Sequence, residues 1–311
     1  MKTFYASFIA AAAGRASAHA LFQQLWVNGV DLADQCVRLP DYFGPIYDIE
    51  SNDIICNQWL GEGKGKCPVT AGDTVTVEMH RLPNARQCND IVIADNHLGP
   101  VNVYLAKVND SATIRPQDVP GWFKIFEDTW NPNGPTGYDD HWGTKDIQKC
   151  CGKLDVKIPK DIAPGDYLLR AELIAYHLSG SQGTEHYMSC FQLTVAGNGT
   201  AKPSLVKFPG AYQPGGPGLS VKYVPFVIHC ACIPPAKNLR SLQETVTAFT
   251  PPGPTVYAGG TTKEAGSPCS NCEKVSHIFF GPTFLSFVRP RANAFVQSCQ
   301  PPATARATKQ Y

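Results

Sequence analysis

The sequence predicts an all-β fold, an antiparallel β-sandwich of the immunoglobulin or fibronectin type III kind with long loops. Three observations lead there. Short runs alternate apolar and polar residues with a period of two, the period of a half-buried strand. Glycine and proline are abundant, 27 and 26 of 311 residues, and they cluster between those runs. No long window carries the 3.6-residue period of an amphipathic helix.

Taken in chain order, the first element is a leader. Lys2 precedes an apolar, alanine-rich run over 4–13, and Ala16-Ser17-Ala18 is a small-residue cleavage pattern, so residues 1–18 read as a signal peptide. Cleavage after Ala18 would make His19 the first residue, with its α-amino group and an imidazole nitrogen side by side. Joined by one further histidine, such a residue makes a three-nitrogen, T-shaped site of the kind that suits Cu(II). The strands follow at 74–80, 101–108, 122–126, 154–158, 167–176 and 187–195. Turn signals separate them: Ala71-Gly72-Asp73, Asn131-Pro132-Asn133-Gly134-Pro135 and Pro164-Gly165-Asp166. Residues 128–151 read as a long, irregular surface loop.

The regular pattern runs to about Tyr223, which makes 19–223 the sandwich domain. Residues 224–249 bring Cys230 and Cys232 and no periodicity. They read as an insertion of doubtful reality, an intron retained in frame. Residues 250–273, rich in Pro, Gly, Ser and Thr, read as a linker. Cys269-x-x-Cys272 on that linker is a weak zinc signal and reads as a small disulfide or nothing, and residues 274–311 form a tail without assigned organisation.

Composition narrows the partners. The formal net charge is +1, and removal of residues 1–18, which hold Lys2 and Arg15 and no acids, makes it −1. Near-neutrality argues against nucleic acid or an anionic membrane and suits an uncharged partner such as a polysaccharide. Twelve cysteines behind a signal peptide imply an oxidising compartment and disulfides. No later apolar run reaches the roughly 20 residues needed to span a bilayer. The chain therefore reads as secreted, extracellular and monomeric. Two sequons place N-glycans at Asn109 and Asn198.

From His19 to about Tyr223 the chain resembles the fungal lytic polysaccharide monooxygenases of auxiliary activity family 9, formerly glycoside hydrolase family 61. The matching stretches, in order, are HALFQQLWVNGVD from His19, SNDIICN from Ser51, CPVTAGDTVTVEMH from Cys67 and HLGPVNVYLAKV from His97. GWFKIFEDTW follows from Gly121, CCGKLDVKIP from Cys150, IAPGDYLLRAELIAYH from Ile162, HYMSCFQLTV from His186 and VKFPGAY from Val206.

The resemblance implies one copper ion in a histidine brace. His19 would give its amino and one ring nitrogen, and His97 a ring nitrogen from the turn-like Asp95-Asn96-His97-Leu98-Gly99-Pro100. Tyr187 matches the axial tyrosine; read from its strand alone it is a core tyrosine. His177 matches a histidine that hydrogen-bonds beside the metal. Two residues before the tyrosine most relatives carry glutamine, whereas this chain has Glu185, which once ionised accepts hydrogen bonds and cannot donate them. His177, Glu185 and Tyr187 are thus the catalytic candidates. The implied reaction is oxidation of a cellulose-like β-1,4-glucan at carbon 1, carbon 4 or both, with O2 or H2O2 as co-substrate and an external electron donor. Tyr212 is the first candidate for stacking on sugar rings, ahead of Tyr42 and Tyr47; an ordinary half-buried tyrosine is the competing reading.

The resemblance also pairs Cys56 with Cys190. Cysteines 36, 67, 88, 150 and 151 stay unconnected, and the odd count leaves one free or paired outside the domain. Of the other histidines, His80 reads as a surface residue, His141 lacks supporting metal spacing, and His186 points to the sheet face opposite Tyr187. A non-catalytic copper- or glycan-binding module on the same sandwich is the alternative function. A hydrolase would need two carboxylates across one bond, and no spacing singles out such a pair.

Overall fold

The computed structural model describes residues 19–58, 63–88, 91–177, 183–219, 222–224 and 245–268. The signal peptide, the 274–311 tail, most of the 224–249 stretch and Cys269-x-x-Cys272 lie outside the described residues. The strands, in chain order, are β1 (Leu21–Val27), β2 (Val30–Asp31), β3 (Val37–Arg38), β4 (Cys67–Thr70), β5 (Thr74–His80), β6 (Val101–Val108), β7 (Phe123–Asp128), β8 (Trp130–Asn131), β9 (His141–Trp142), β10 (Lys153–Lys157), β11 (Gly165–Ala175), β12 (Glu185–Ala196), β13 (Lys222–Val224), β14 (Thr245–Ala248) and β15 (Thr261–Lys263). Two short α-helices, α1 (Asp53–Cys56) and α2 (Gly143–Lys149), lie in the connections.

These strands form the predicted sandwich. One sheet has the order β10-β5-β1-β2, and the other β15-β7-β6-β11-β12-β3. Pairing is antiparallel except at two places, where β4 runs parallel to β12 and β15 parallel to β7. The turn between β4 and β5 shows how local sequence sets the register. Gly72 takes φ +101°, which side-chain-bearing residues rarely adopt, and Asp73 Oδ2 accepts the Thr70 N–H at 2.6 Å.

The larger sheet is buried on both faces. Odd-numbered residues of β11 and β12 (Leu169, Leu173, Tyr187, Phe191, Leu193) join the core between the sheets. Even-numbered ones (Leu168, Ile174, Met188, Cys190) join a second core, covered by Trp122, Trp142, Phe208 and Tyr212 from the connections. That second core contains a buried ion pair. Arg170 binds Glu172 through two nitrogens at 2.7 and 2.8 Å and also donates to the Ile54 and Ile55 carbonyls. Burial opposes the Glu172 charge, but Arg170 and His186 hold its pKa down at about 2.

Three expectations from sequence are corrected here. Residues 128–151 are not a loose surface loop: they contain the β8–β9 hairpin and α2, and Trp142 and Asp140 are buried. The expected linker over 250–268 belongs to the sandwich. Its β15 pairs with β7, Tyr257 N–H bonds to the Lys124 carbonyl at 2.7 Å, and Lys263 bridges the buried carboxylates of Asp128 and Asp146. Just before it, Phe249 packs edge-on against Trp142 at 5.3 Å, so the end of the 224–249 stretch is part of the second core. His80 is fully buried rather than at the surface. The chain after β5 folds back, so that Arg86 covers Glu78, and His80 Nε2 lies 2.8 Å from Glu78 Oε1.

Three disulfides staple the described chain: Cys36–Cys67, Cys56–Cys190 and Cys88–Cys151. Cys150 is also disulfide-bonded, with its partner outside the described residues. Asn109 and Asn198 are exposed at strand ends.

Glu78 sets an acid limit on the fold. Burial raises its pKa, but bonds from Arg86, His80 and Trp26 outweigh that and lower it from 4.5 to about 2. A carboxylate depressed in the folded state stabilises above its unfolded pKa, and that stability disappears as pH falls through the folded value. The melting temperature should therefore hold steady above pH 5 and fall between about pH 4.5 and 2. Glu78→Gln should cost about 2–3 kcal/mol at pH 6 and flatten part of that fall, as measured by thermal denaturation across pH.

Candidate metal centre

The site forms where β12 begins. Glu185 and Tyr187 sit two residues apart on that strand, so both point to the same face. His177 closely follows β11, the partner strand, and His97 comes from the turn before β6. The turn is held at both ends: Ile93 N–H bonds to Gln148 Oε1 on α2 at 3.1 Å, and Tyr176 N–H to the Leu98 carbonyl at 3.1 Å. Earlier in the same connection, Cys88 is bonded to Cys151.

One ligand atom each from His97, His177 and Glu185 lies within 4.8 Å of the others. The two imidazole rings are 4.3 Å apart, centre to centre. His97 Nε2 is 3.2 Å from the Tyr187 hydroxyl and 3.3 Å from Glu185 Oε2. Tyr187 donates its proton to Glu185 Oε2 at 2.7 Å. Tyr47, from the loop after β3, donates to Glu185 Oε1 at 2.6 Å. His177 Nε2 stands 3.7 Å from that same oxygen, at ion-pair rather than hydrogen-bond distance.

The donor set fits a cation. His97 Nδ1 lies 2.8 Å from Asn96 Oδ1, a carbonyl oxygen that can only accept, so Nδ1 carries the proton. In that tautomer Nε2 turns a lone pair toward the Tyr187 phenol oxygen, whose O–H points at Glu185. Electron-rich atoms thus converge with too few protons among them, an arrangement that a metal ion satisfies. Burial alone would raise the Glu185 pKa, but its contacts with His97, Tyr47 and Tyr187 bring it below the usual value, so the carboxylate is ionised. Burial lowers the His177 pKa, Glu185 works against that, and His97 adds to it. The Tyr187 phenol is pushed up by burial and by the Glu185 charge and stays protonated. His177 Nδ1 is buried and makes no hydrogen bond among the described residues.

His19 stands outside the 4.8 Å group. It opens β1 with its ring 4.9 Å from Phe43, and the Ala20 N–H bonds to the Phe43 carbonyl. Phe43 belongs to the loop that carries Tyr47. Two backbone bonds between Ile46 and His186, at 2.9 and 3.0 Å, fix this loop to the start of β12. In the unprocessed sequence Ala18 precedes His19, so there the His19 nitrogen is an amide rather than an amine.

Tyr212 is not at the surface. It is 3% exposed, donates to Glu172, and lies 2.9 Å from the Tyr104 hydroxyl in the second core. Among the described residues, the exposed tyrosines are Tyr42, Tyr47 and Tyr138, at 43%, 40% and 47%. Sequence reasoning ranked Tyr47 below Tyr212 and did not connect it with Glu185, a residue 138 positions away. His186 turns to the opposite sheet face as predicted and binds Glu172 at 2.9 Å.

The family model of Auxiliary Activity family 9 (formerly GH61) matches residues 19–226. A relative in Thermothelomyces thermophilus, AA9 family lytic polysaccharide monooxygenase B, is 49% identical over 286 residues, covering 91% of this chain and 82% of its own. Among solved structures, the extended catalytic domain of H. jecorina LPMO9A superposes with a TM-score of 0.62 at 25% identity, over 82% of this chain and 97% of that one. A cellulose-active polysaccharide monooxygenase from M. thermophila superposes with a TM-score of 0.56 at 25% identity, over 77% of this chain and 99% of that one.

Two outcomes separate the roles of these residues. His97→Ala should weaken Cu(II) binding at least tenfold by isothermal titration, because it removes an imidazole ligand. Tyr212→Phe should leave copper affinity unchanged and cost about 1–3 kcal/mol of stability in denaturant melts, because Glu172 loses a donor in a buried network.

Proposed function

This chain belongs to Auxiliary Activity family 9, the lytic polysaccharide monooxygenases, and from that premise we propose that it is a secreted enzyme oxidising cellulose or a related β-1,4-glucan at carbon 1, carbon 4 or both. Copper would be held by the amino and ring nitrogens of His19, freed by cleavage after Ala18, and by Nε2 of His97, with the Tyr187 hydroxyl beside them. When bound, the metal supplies one-electron redox chemistry with O2 or H2O2, fed by an external reductant. The balance is a C–H bond plus O2, two electrons and two protons giving C–OH and water, or a C–H bond plus H2O2 giving C–OH and water. The new hydroxyl then sits on the carbon that bears the glycosidic oxygen, and the glycosidic bond breaks by elimination, leaving a carbonyl on that carbon and a hydroxyl on the departing sugar.

The protein's own groups have separable parts in this reading. Asn96 fixes the His97 tautomer, leaving Nε2 free to ligate. Glu185 keeps the Tyr187 proton directed at Oε2, so the phenol presents its oxygen to the metal side. His177, with its pKa lowered by burial, can hold or give a proton at a ring nitrogen beside the site. Tyr42 and Tyr47 offer exposed rings on the loop that flanks Glu185, the chemistry that stacks on pyranose faces. The observation that carries the reading is the convergence of His97 Nε2, the Tyr187 hydroxyl and Glu185 on one proton-poor point. The cellulose assignment draws support from the cellulose-active enzyme of M. thermophila. The described residues contain no helix long and apolar enough to cross a membrane.

Copper-loaded protein incubated with cellulose and ascorbate should release oxidised oligosaccharides, and only when reductant is present. Unmodified sugars, or silence despite tight copper binding, would overturn the proposal. N-terminal sequencing of the secreted chain should begin at His19. Glu185→Gln should change the rate of peroxide release in the absence of substrate; an unchanged rate together with unchanged cellulose oxidation removes Glu185 from the mechanism.

A further inference from the structure

The Glu185 carboxylate is 1% exposed, and each of its oxygens accepts from a different phenol. Tyr187, which holds Oε2, is fully buried in β12. Tyr47, which holds Oε1 at 2.6 Å, has its ring 40% exposed. Tyr47 is therefore a direct covalent and hydrogen-bonded path from the outer surface to the carboxylate beside His97. Its loop is anchored rather than loose. Ile46 makes two backbone bonds to His186, Asp41 N–H bonds to the Gln58 carbonyl at 2.9 Å, and Ala20 N–H to the Phe43 carbonyl. A Cβ at Gly44 would lie 2.2 Å from the Tyr42 hydroxyl, so the Tyr42 side chain folds back over the loop that presents Tyr47.

A carboxylate has two oxygens and only acceptor sites. In an amide at this position one of the two atoms would be a donor, so the two phenols could not donate one to each atom as they do here. Glu185 and Tyr47 are thus matched chemically: the carboxylate requires a second donor, and the loop delivers one. The interaction is charge-assisted and short, and it strengthens as water is excluded from it.

We propose that Tyr47 is a positioning residue for the metal centre: its hydroxyl orients Glu185 toward Tyr187 and His97, and a saccharide ring seated on its exposed face tightens that bond, so that carbohydrate binding is felt at the metal. The proposal rests on the reading of a copper site at His97. It assigns Tyr47 a role beyond stacking, because the same side chain touches solvent on one side and the buried carboxylate on the other.

The test is a double-variant cycle of Tyr47→Phe and Glu185→Gln with two readouts. In metal-free protein, the losses in melting temperature should fall short of additive by about 2–4 °C, the shift that about 1 kcal/mol of coupling produces in a domain of this size. In Cu(II)-loaded protein, Tyr47→Phe should shift the electron paramagnetic resonance spectrum and abolish the further change that cellohexaose causes in wild type. It should add nothing in the Glu185→Gln background. Additive melting losses, or an unchanged Tyr47→Phe spectrum with only weaker cellohexaose affinity, would overturn the proposal and leave Tyr47 a stacking platform. Tyr47→Trp, which also removes the hydroxyl and keeps a ring, repeats the cycle should the phenylalanine variant not fold. A wild-type chain that bound no copper would sink the copper reading, whereas the metal-free cycle would still decide whether Tyr47 positions Glu185.

Discussion

The antiparallel ladder between β11 and β12 constrains everything else at this site. It runs without a register shift from Gly165↔Val195 to Ala175↔Glu185. Because side chains alternate across a strand, one unbroken register sorts every residue on both strands to one of two faces. Glu185 and Tyr187 go to one, and His186 to the other. A slip of one residue would exchange them, putting His186 among the metal-site groups and burying Tyr187 against Arg170 and Glu172. The buried ion pair opposes such a slip, since Glu172 takes bonds from Arg170 two positions away on its own strand and from His186 across the ladder. Breaking a paired charge in that setting costs several kcal/mol.

This arrangement also explains what could be read from the residues and what could not. The strands of residues 74–80 and 101–108 were legible because their alternation and bounding turns are local. His97 and Tyr187 stood out as candidate ligands only through a resemblance spanning the whole domain, since each alone is an ordinary turn histidine or strand tyrosine. Tyr212 was misplaced for a physical reason. The larger sheet is covered on both sides, and the second cover is assembled from segments far apart in sequence, among them Phe208, Trp142 and Phe249. No local pattern announces such a cover. His80 was misplaced likewise, because a loop folding back with Arg86 buries a residue that strand alternation would leave in solvent.

The metal-site groups differ in how firmly the fold holds them. Tyr187 and Glu185 are part of a central strand and move only with the sheet. His97 lies in a turn tied to α2 through Gln148 and to the end of β11 through Leu98. His19 depends on the loop at Phe43, the same loop that brings Tyr47 to Glu185. That loop therefore serves both as the wall behind His19 and as the carrier of an exposed aromatic residue. Its two bonds to His186 make the loop and the strand a single mechanical unit.

The strand β15 has a consequence for where this domain can be cut. The family match stops at residue 226, yet Thr261–Lys263 still hydrogen-bonds along the rim of β7, and Lys263 neutralises two carboxylates that are otherwise buried. A shortened chain ending near the match would leave β7 with a bare row of amides and carbonyls and would remove Lys263 from the buried Asp128 and from Asp146. Such a rim invites pairing with a neighbouring molecule. The smallest self-sufficient piece of this chain therefore extends at least through the residues that close the sheet, and trimming it to the family-matched portion would expose a β edge that the full chain covers.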